Sequence, residues 1–266
     1  MPFFFIASGL TTNFFNCKTR TFVVQKAKKL LLPFIGYSFI VFLLQWYISD
    51  NTIEDHFVGL IKHGWLGIAL WFVPVLYFSL LIAKIILRIQ HRWCRLAFIL
   101  LMSLISPVLS YYRTVLPWNM SVLPFAVIFV IVGNWIKTIC RKIQSMGIVY
   151  FWGATLVTIV ISYFWQLDMA WNIIMPVFPQ IIGAFSGSLM IGMLSVFIEK
   201  KCGIISKCLQ FIGKETFLIM AFSQIFMDYV LLIYNGDPIV RYTILTIMLA
   251  SAILIKNLLK NKLFRK

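Results

Sequence analysis

The sequence predicts an all-α polytopic membrane protein of a single domain, and three observations carry that prediction. The 266 residues are 61% hydrophobic and only 12% charged, with a mean hydropathy of +0.93. Soluble domains carry about 25% charged residues, so this chain cannot clothe a water-facing surface. Apolar runs such as 30–48 and 147–165 have the roughly 20 residues that a helix needs to cross about 30 Å of hydrocarbon. The basic residues, finally, gather in alternate connectors.

Nine spans follow in order, at about 1–15, 30–48, 65–87, 96–111, 119–136, 147–166, 173–198, 213–234 and 239–256. Connectors are short, and no linker, low-complexity tract or clear internal repeat divides the chain, so residues 1–266 read as one membrane domain with a basic tail at 257–266. Of the 24 Lys and Arg, all but Lys62, Arg113 and Arg241 fall in five clusters. These begin at Lys18, Lys84, Lys137, Lys200 and Lys256. The positive-inside rule places all five, and the C-terminus, in the cytoplasm. The net charge of +16 thus reports topology and a lipid bilayer partner rather than nucleic acid. Cys17, Cys94, Cys140, Cys202 and Cys208 fall on the same side, where thiols stay reduced. Their spacing suggests no zinc site, and no bound metal or cofactor is expected.

The opening run, residues 1–15, is anomalous. Fifteen helical residues rise about 22 Å, short of the hydrocarbon core, and Thr11, Thr12 and Asn13 shorten the apolar part. No basic n-region or cleavage site makes it a secretory signal. It reads as a stunted span, one that either starts outside the membrane or has something missing upstream.

Polar residues inside spans are costly and tend to mark function. In the eighth span Gln224 and Asp228 stand at i, i+4 with Ser223 beside them, one helical face able to orient a base or bind a sugar hydroxyl. A place for Asp228 at the outer water interface fits equally. Asn134, Gln166 and Gln180 suit interhelical hydrogen bonds, and Gly183 with Gly187 suits close helix packing. Glu54, Asp55, His56 and His63 lie in the loop that faces outward, and His91 in a basic inner connector. Trp46, Trp65, Trp118 and Trp171 fit an interfacial belt. Trp71 lies deeper, and Pro74 is expected to kink its span and open a cavity. Lys26, Lys28 and Lys29 form the densest basic group, suited to anionic headgroups or to the phosphates of a cytoplasmic donor.

Five stretches resemble the membrane acyltransferase-3 family, in particular its fucose 4-O-acetylase-like branch. They are Met1-Pro-Phe-Phe-Phe-Ile-Ala-Ser-Gly9, Lys28-Lys-Leu-Leu-Leu-Pro-Phe34, Leu70-Trp-Phe-Val-Pro-Val-Leu-Tyr77, Leu116-Pro-Trp-Asn119 with the later Gly133, and Phe211-Ile-Gly-Lys-Glu-Thr216. Their order and spacing carry the resemblance across nearly the whole chain. It implies about ten spans, an acyl-CoA co-substrate, acetyl-CoA in the first place, used from inside, and a glycan or lipid-linked saccharide acceptor. It implies that Lys26, Lys28 and Lys29 hold the CoA phosphates, with Trp71, Trp118, Asn119, Ser223, Gln224 and Asp228 as pocket candidates. A bacterial inner (plasma) membrane is the implied location.

Two departures matter. The family's first span, ending in Gly-His, has no counterpart here, which implies that the chain lacks it and that Met1 is an internal methionine. The late Ala-x-His-Gln pattern reads Ala221-Phe-Ser-Gln224. The family's His, which is held to take the acceptor's hydroxyl proton, is carried over to no residue, and the catalytic residue stays unknown. The leading expectation is a membrane O-acyltransferase acting on a surface polysaccharide or lipid-linked glycan, inactive if truncated. A multi-span transporter or glycan flippase, and a pseudoenzyme that only binds partners, remain as alternatives.

Overall fold

A helix occupies part of each of the nine apolar segments. The computed structural model describes residues 1–16, 18–48, 69–112, 116–143, 148–165 and 167–263, without the side chains of 45–48, 138–143 and 259–263. No strand occurs among the described residues. The helices are α1 (Pro2–Thr11), α2 (Thr19–Lys26), α3 (Leu32–Ile48), α4 (Phe72–Arg88), α5 (Arg92–Tyr111), α6 (Leu123–Ile143), α7 (Ile148–Phe164), α8 (Val177–Lys201), α9 (Gly203–Lys214), α10 (Thr216–Ile233) and α11 (Pro238–Leu263). Six helical segments are long and apolar enough to cross a membrane: Thr19–Leu44, Arg92–Tyr111, Pro117–Lys137, Val177–Lys201, Thr216–Ile233 and Pro238–Leu258. Pro2–Thr11 and Ile148–Phe164 are apolar but shorter. The chain is an all-helical, multi-pass membrane protein.

Four features depart from the sequence expectations. The first helix stops at Thr11 rather than near residue 15. Thr11 Oγ1 donates to the Ala7 carbonyl at 2.9 Å, and Thr12 turns extended; hydroxyl groups that bond back to the backbone weaken a helix end. Pro74 does not kink a span. It is the third residue of α4, within the first turn, where its missing N–H is needed by no helical carbonyl. Gly203–Lys214, expected as connector, is a helix with Ile204, Ile205, Leu209 and Ile212 spaced along it. The 257–266 tail is helical as far as Leu263.

A π-helical turn, Ala27–Leu31, joins α2 to α3. Pro33 explains it. A proline ring collides with the carbonyl four residues back, here that of Lys29. The turn is wound one residue wider, so that the Leu32 N–H reaches the Ala27 carbonyl.

The core gathers around α1, α4 and α6. Phe5, Leu70, Val75, Ala83, Val122, Phe125, Val127 and Phe129 are wholly buried. Lipid tails are as apolar as leucine, so contact quality rather than water expulsion holds such helices together. The α1–α6 crossing shows this most plainly. A Cβ on Gly9 would strike the Val130 carbonyl oxygen, and one on Gly133 the Ile6 carbonyl oxygen. Only glycine at both places lets the two backbones touch. Gly183 also lies close to α7, where a Cβ would sit 2.7 Å from the Ile161 side chain at Cγ2, whereas one at Gly187 would make an ordinary contact with Thr158 Cγ2 at 3.4 Å.

Candidate functional site

The α2–α4 junction concentrates positive charge. On α2, Thr19, Phe22 and Lys26 recur at i, i+3 and i+7, one helical face; on α4, Lys84 and Arg88 stand at i, i+4. The two faces meet. The Lys84 ammonium lies 4.1 Å from the Phe22 ring centroid and the Lys26 ammonium 5.6 Å from the same ring. Lys26 donates to Thr12 Oγ1 at 3.0 Å, and Arg88 Nη1 to Thr19 Oγ1 at 2.7 Å. Phe14, wholly buried, packs on Phe22 at 6.0 Å between centroids. Lys84, the first residue of one of the inner basic clusters, is 1% exposed. Lys28 and Lys29 lie exposed on the π turn, so of the three predicted phosphate ligands only Lys26 reaches this junction.

A second polar site forms where the loop 167–176 folds back on residues 117–122. Trp118 (φ 58°) and Asn119 (φ 51°) are consecutive left-handed residues, a conformation that costs about 1–2 kcal/mol per L-residue. Hydrogen bonds hold it. Asn119 Nδ2 donates to the Met169 carbonyl at 3.0 Å and to that of Ala170 at 3.3 Å, while its Oδ1 accepts from Ser121 Oγ at 3.3 Å. Asp168 Oδ1 accepts from the Ala170 N–H at 2.9 Å. Ser110 Oγ donates to the Asn172 carbonyl at 2.6 Å, and Asn172 Nδ2 to that of Leu109 at 3.2 Å. Asn119 is therefore committed to holding the loop. Trp118, partly exposed, sits 6.5 Å from Phe34 between ring centroids, and Trp71 is buried in the 3-10 turn before α4.

Ser223, Gln224 and Asp228 do not join either site. Ser223 is half-buried, while Gln224 and Asp228 lie exposed on α10, off the side that buries Ala221 and Ile225. Nearby, a pair that sequence reasoning missed locks α10 to α11: Lys256 Nζ donates to Glu215 Oε2 at 2.5 Å. The partners are 41 residues apart, and no local spacing announces them. Glu54, Asp55, His56, His63, Trp65, Gln166 and Cys17 lie outside the described residues, as do the side chains of Trp46 and Cys140. Cys94, Cys202 and Cys208 are free thiols.

Among the described residues, cavities flank the core at two places. One of about 360 Å³ runs between α1 and α8, lined by Phe3, Ile6, Leu10 and Leu189 with the hydroxyls of Thr11, Ser188 and Ser195. The other, about 330 Å³, lies between α7 and α8 and sets Trp165 beside Thr158, Ser162 and the buried amide of Gln180.

A family model described as an acyltransferase domain, that of the acyltransferase-3 family, matches residues 1–256. The chain belongs to the acyltransferase-3 family. No curated protein and no solved structure matches it. Membership in an acyltransferase-3 family makes this a membrane acyltransferase in general. The match runs through every described helix except the end of α11. Both polar sites therefore belong to the acyltransferase-3 domain, and neither is an appendage.

Proposed function

We propose that the protein is a membrane O-acyltransferase that moves an acyl group, acetyl in the first place, from acyl-CoA to a hydroxyl of a surface polysaccharide or lipid-linked glycan. The observation that carries the reading is the acyltransferase-domain match over residues 1–256. The nine-span topology, with basic connectors and C-terminus cytoplasmic in a bacterial inner membrane, goes with it. In that frame the donor enters from the basic side, where Lys26 is the ligand for its phosphates. The apolar cavity along α1 has the character that an acyl or lipid chain requires, and its hydroxyls offer single hydrogen bonds. Trp71 and Trp118 suit the wall of the acceptor pocket, since flat aromatic faces stack on sugar rings.

The chemistry needs a hydroxyl made nucleophilic and a thioester carbonyl held beside it. The acyl carbon passes from sulfur to oxygen, the free thiol of CoA leaves, and the hydroxyl proton is removed. The described residues supply the donor site and the pocket wall in this reading; the base is not assigned to any of them.

Mass spectrometry of surface glycan from cells that express the chain, against cells that do not, tests the proposal. Added ester mass of an acyl group, dependent on the chain, is the expected result. Unchanged glycan, together with no acyl-CoA consumed by the purified protein, counts against it. Substrate uptake or lipid flipping without acyl-CoA would favour a transporter instead.

A further inference from the structure

We propose that the cavity between α7 and α8 is a subsite for a neutral sugar, with Trp165 under the ring and Gln180 on its hydroxyls. Under the acyl-acceptor reading above, on which this role rests, it holds one sugar unit of the glycan.

The cavity is built by matching helix faces. Thr158, Ile161, Ser162 and Trp165 stand at i, i+3, i+4 and i+7 along α7 and its end, and Gln180, Gly183 and Ala184 at i, i+3 and i+4 on α8. Such spacings put each set on one side of its helix. About 330 Å³ stays open between them. That falls within the range of small-molecule sites and has room for about ten groups the size of a water molecule. The cavity lies at the helix ends remote from the basic residues. Trp165 follows the last residue of α7, and Gln180 is in the first turn of α8. Lys137, Arg141 and Lys142 precede α7, and Lys200 and Lys201 end α8. Leu167, also in the lining, begins the loop that Asn119 pins through the Met169 and Ala170 carbonyls, so this edge of the cavity is braced.

The lining selects its ligand by what it lacks and what it offers. None of the described lining residues is Asp, Glu, Lys, Arg or His, so there is no counter-charge for a phosphate, a carboxylate or an amine. The hydroxyls are spent as donors. Ser162 Oγ donates to the Ile159 carbonyl at 3.0 Å. The single proton of Thr158 Oγ1 has the Ala154 carbonyl at 2.7 Å and Ser186 Oγ at 3.0 Å. A hydroxyl oxygen keeps lone pairs after its proton is taken, so both act as acceptors and suit a ligand that brings O–H donors. Gln180, 2% exposed, carries N–H donors and a carbonyl acceptor on one amide. It can bond within the helix pair and still serve a ligand hydroxyl, which both gives and accepts. Trp165, 38% exposed, adds a flat apolar face and an N–H donor. A ring with an apolar C–H face and a rim of hydroxyls meets every one of these groups. A lipid tail meets only the indole face and leaves the amide and the hydroxyl oxygens unmatched.

The test uses the full chain in nanodiscs and saturation-transfer NMR. The probes are the methyl glycosides of glucose, galactose, mannose and N-acetylglucosamine. The wild type is compared with Trp165→Ala, Trp165→Tyr, Gln180→Leu and Trp152→Ala, the last an exposed tryptophan of α7 outside the cavity; size exclusion checks that each variant is folded. The expected result is that at least one glycoside binds and that Trp165→Ala and Gln180→Leu each weaken it about tenfold. Trp165→Tyr keeps a stacking ring and should restore most of the affinity, and Trp152→Ala should match the wild type. Absence of binding by every glycoside, or binding unchanged in folded Trp165→Ala and Gln180→Leu, overturns the subsite. A phospholipid retained by the wild type in native mass spectra and lost from Ala184→Leu, without glycoside binding, assigns the cavity to a lipid tail and overturns it as well. Glycoside binding that depends on Trp165, in a protein that adds no ester to surface glycan, upholds the subsite and removes the acyl-acceptor reading. Ester added equally by the wild type and Trp165→Ala, without glycoside binding, overturns the subsite and leaves that reading standing.

Discussion

The segments Pro117–Lys137 and Arg92–Tyr111 have the same mean hydropathy, yet 72% of the apolar window of the first is buried in the protein and only 6% of that of the second. Hydropathy reports partition into the bilayer. It does not report which helix stands in the middle. Shape decides that. The first segment offers Gly133, small enough to bring α1 against its backbone. The second turns Leu100, Leu101 and Leu104 outward and buries only Ser106 and Ser110. A bilayer rewards both equally, but only the first can be packed on every side.

The largest effect that would break this comparison is at the crossing itself. Gly133→Leu puts a side chain into the Ile6 carbonyl, and we expect loss of monodisperse protein by fluorescence-detected size exclusion. Gly153→Leu on α7, where a Cβ meets nothing within 4 Å, should leave the profile unchanged. A well-folded Gly133→Leu protein would show that the α1–α6 contact is dispensable.

Next come truncations of the same residue type in the two regions. Leu80 is 1% exposed and Leu104 is 64% exposed. Leu80→Ala leaves a cavity and should cost about 2–5 kcal/mol in a reversible unfolding titration. Leu104→Ala exchanges lipid contacts for lipid contacts and should cost less than about 1 kcal/mol. Equal costs would mean that the two helices are not differently packed.

Asn119 separates hydrogen bonding from backbone conformation. Asn119→Ala removes the bonds to the 167–176 loop and leaves a strained left-handed residue, an expected loss of about 2–3 kcal/mol. Asn119→Gly keeps the conformation and should lose about 1 kcal/mol less. If both variants melt at the wild-type temperature, the loop is held by something else. The smallest effect is expected at the periphery. Lys256 is 37% exposed in its pair with Glu215, so Lys256→Met should cost less than about 1 kcal/mol.

Much of the fold was legible because two of its signals are local. Apolar runs of helical length placed a helix within each predicted segment, and the four-residue spacing of Gly183 and Gly187 foretold the α7–α8 contact. The helix Gly203–Lys214 was hidden because it is amphipathic and short, and resembles a polar connector between two longer runs. The candidate site was less legible. Lys26 was found by charge density, but the same density pointed to Lys28 and Lys29, which lie exposed. Lys84 was counted only as the start of an inner basic cluster, and such a grouping does not report burial.

The sequence by itself determined that the chain is a multi-pass helical membrane protein, and its ordered motifs indicated the acyltransferase-3 family. These properties sum over many residues, so misplacing any one matters little. The tertiary structure alone decided that α4 and α6 are central and α5 is peripheral. It also decided that Lys84 meets Lys26 over Phe22, and that Glu215 finds Lys256. Each depends on which faces of distant helices touch, and in a bilayer that choice is made by close fit rather than by hydrophobicity, which all the helices share.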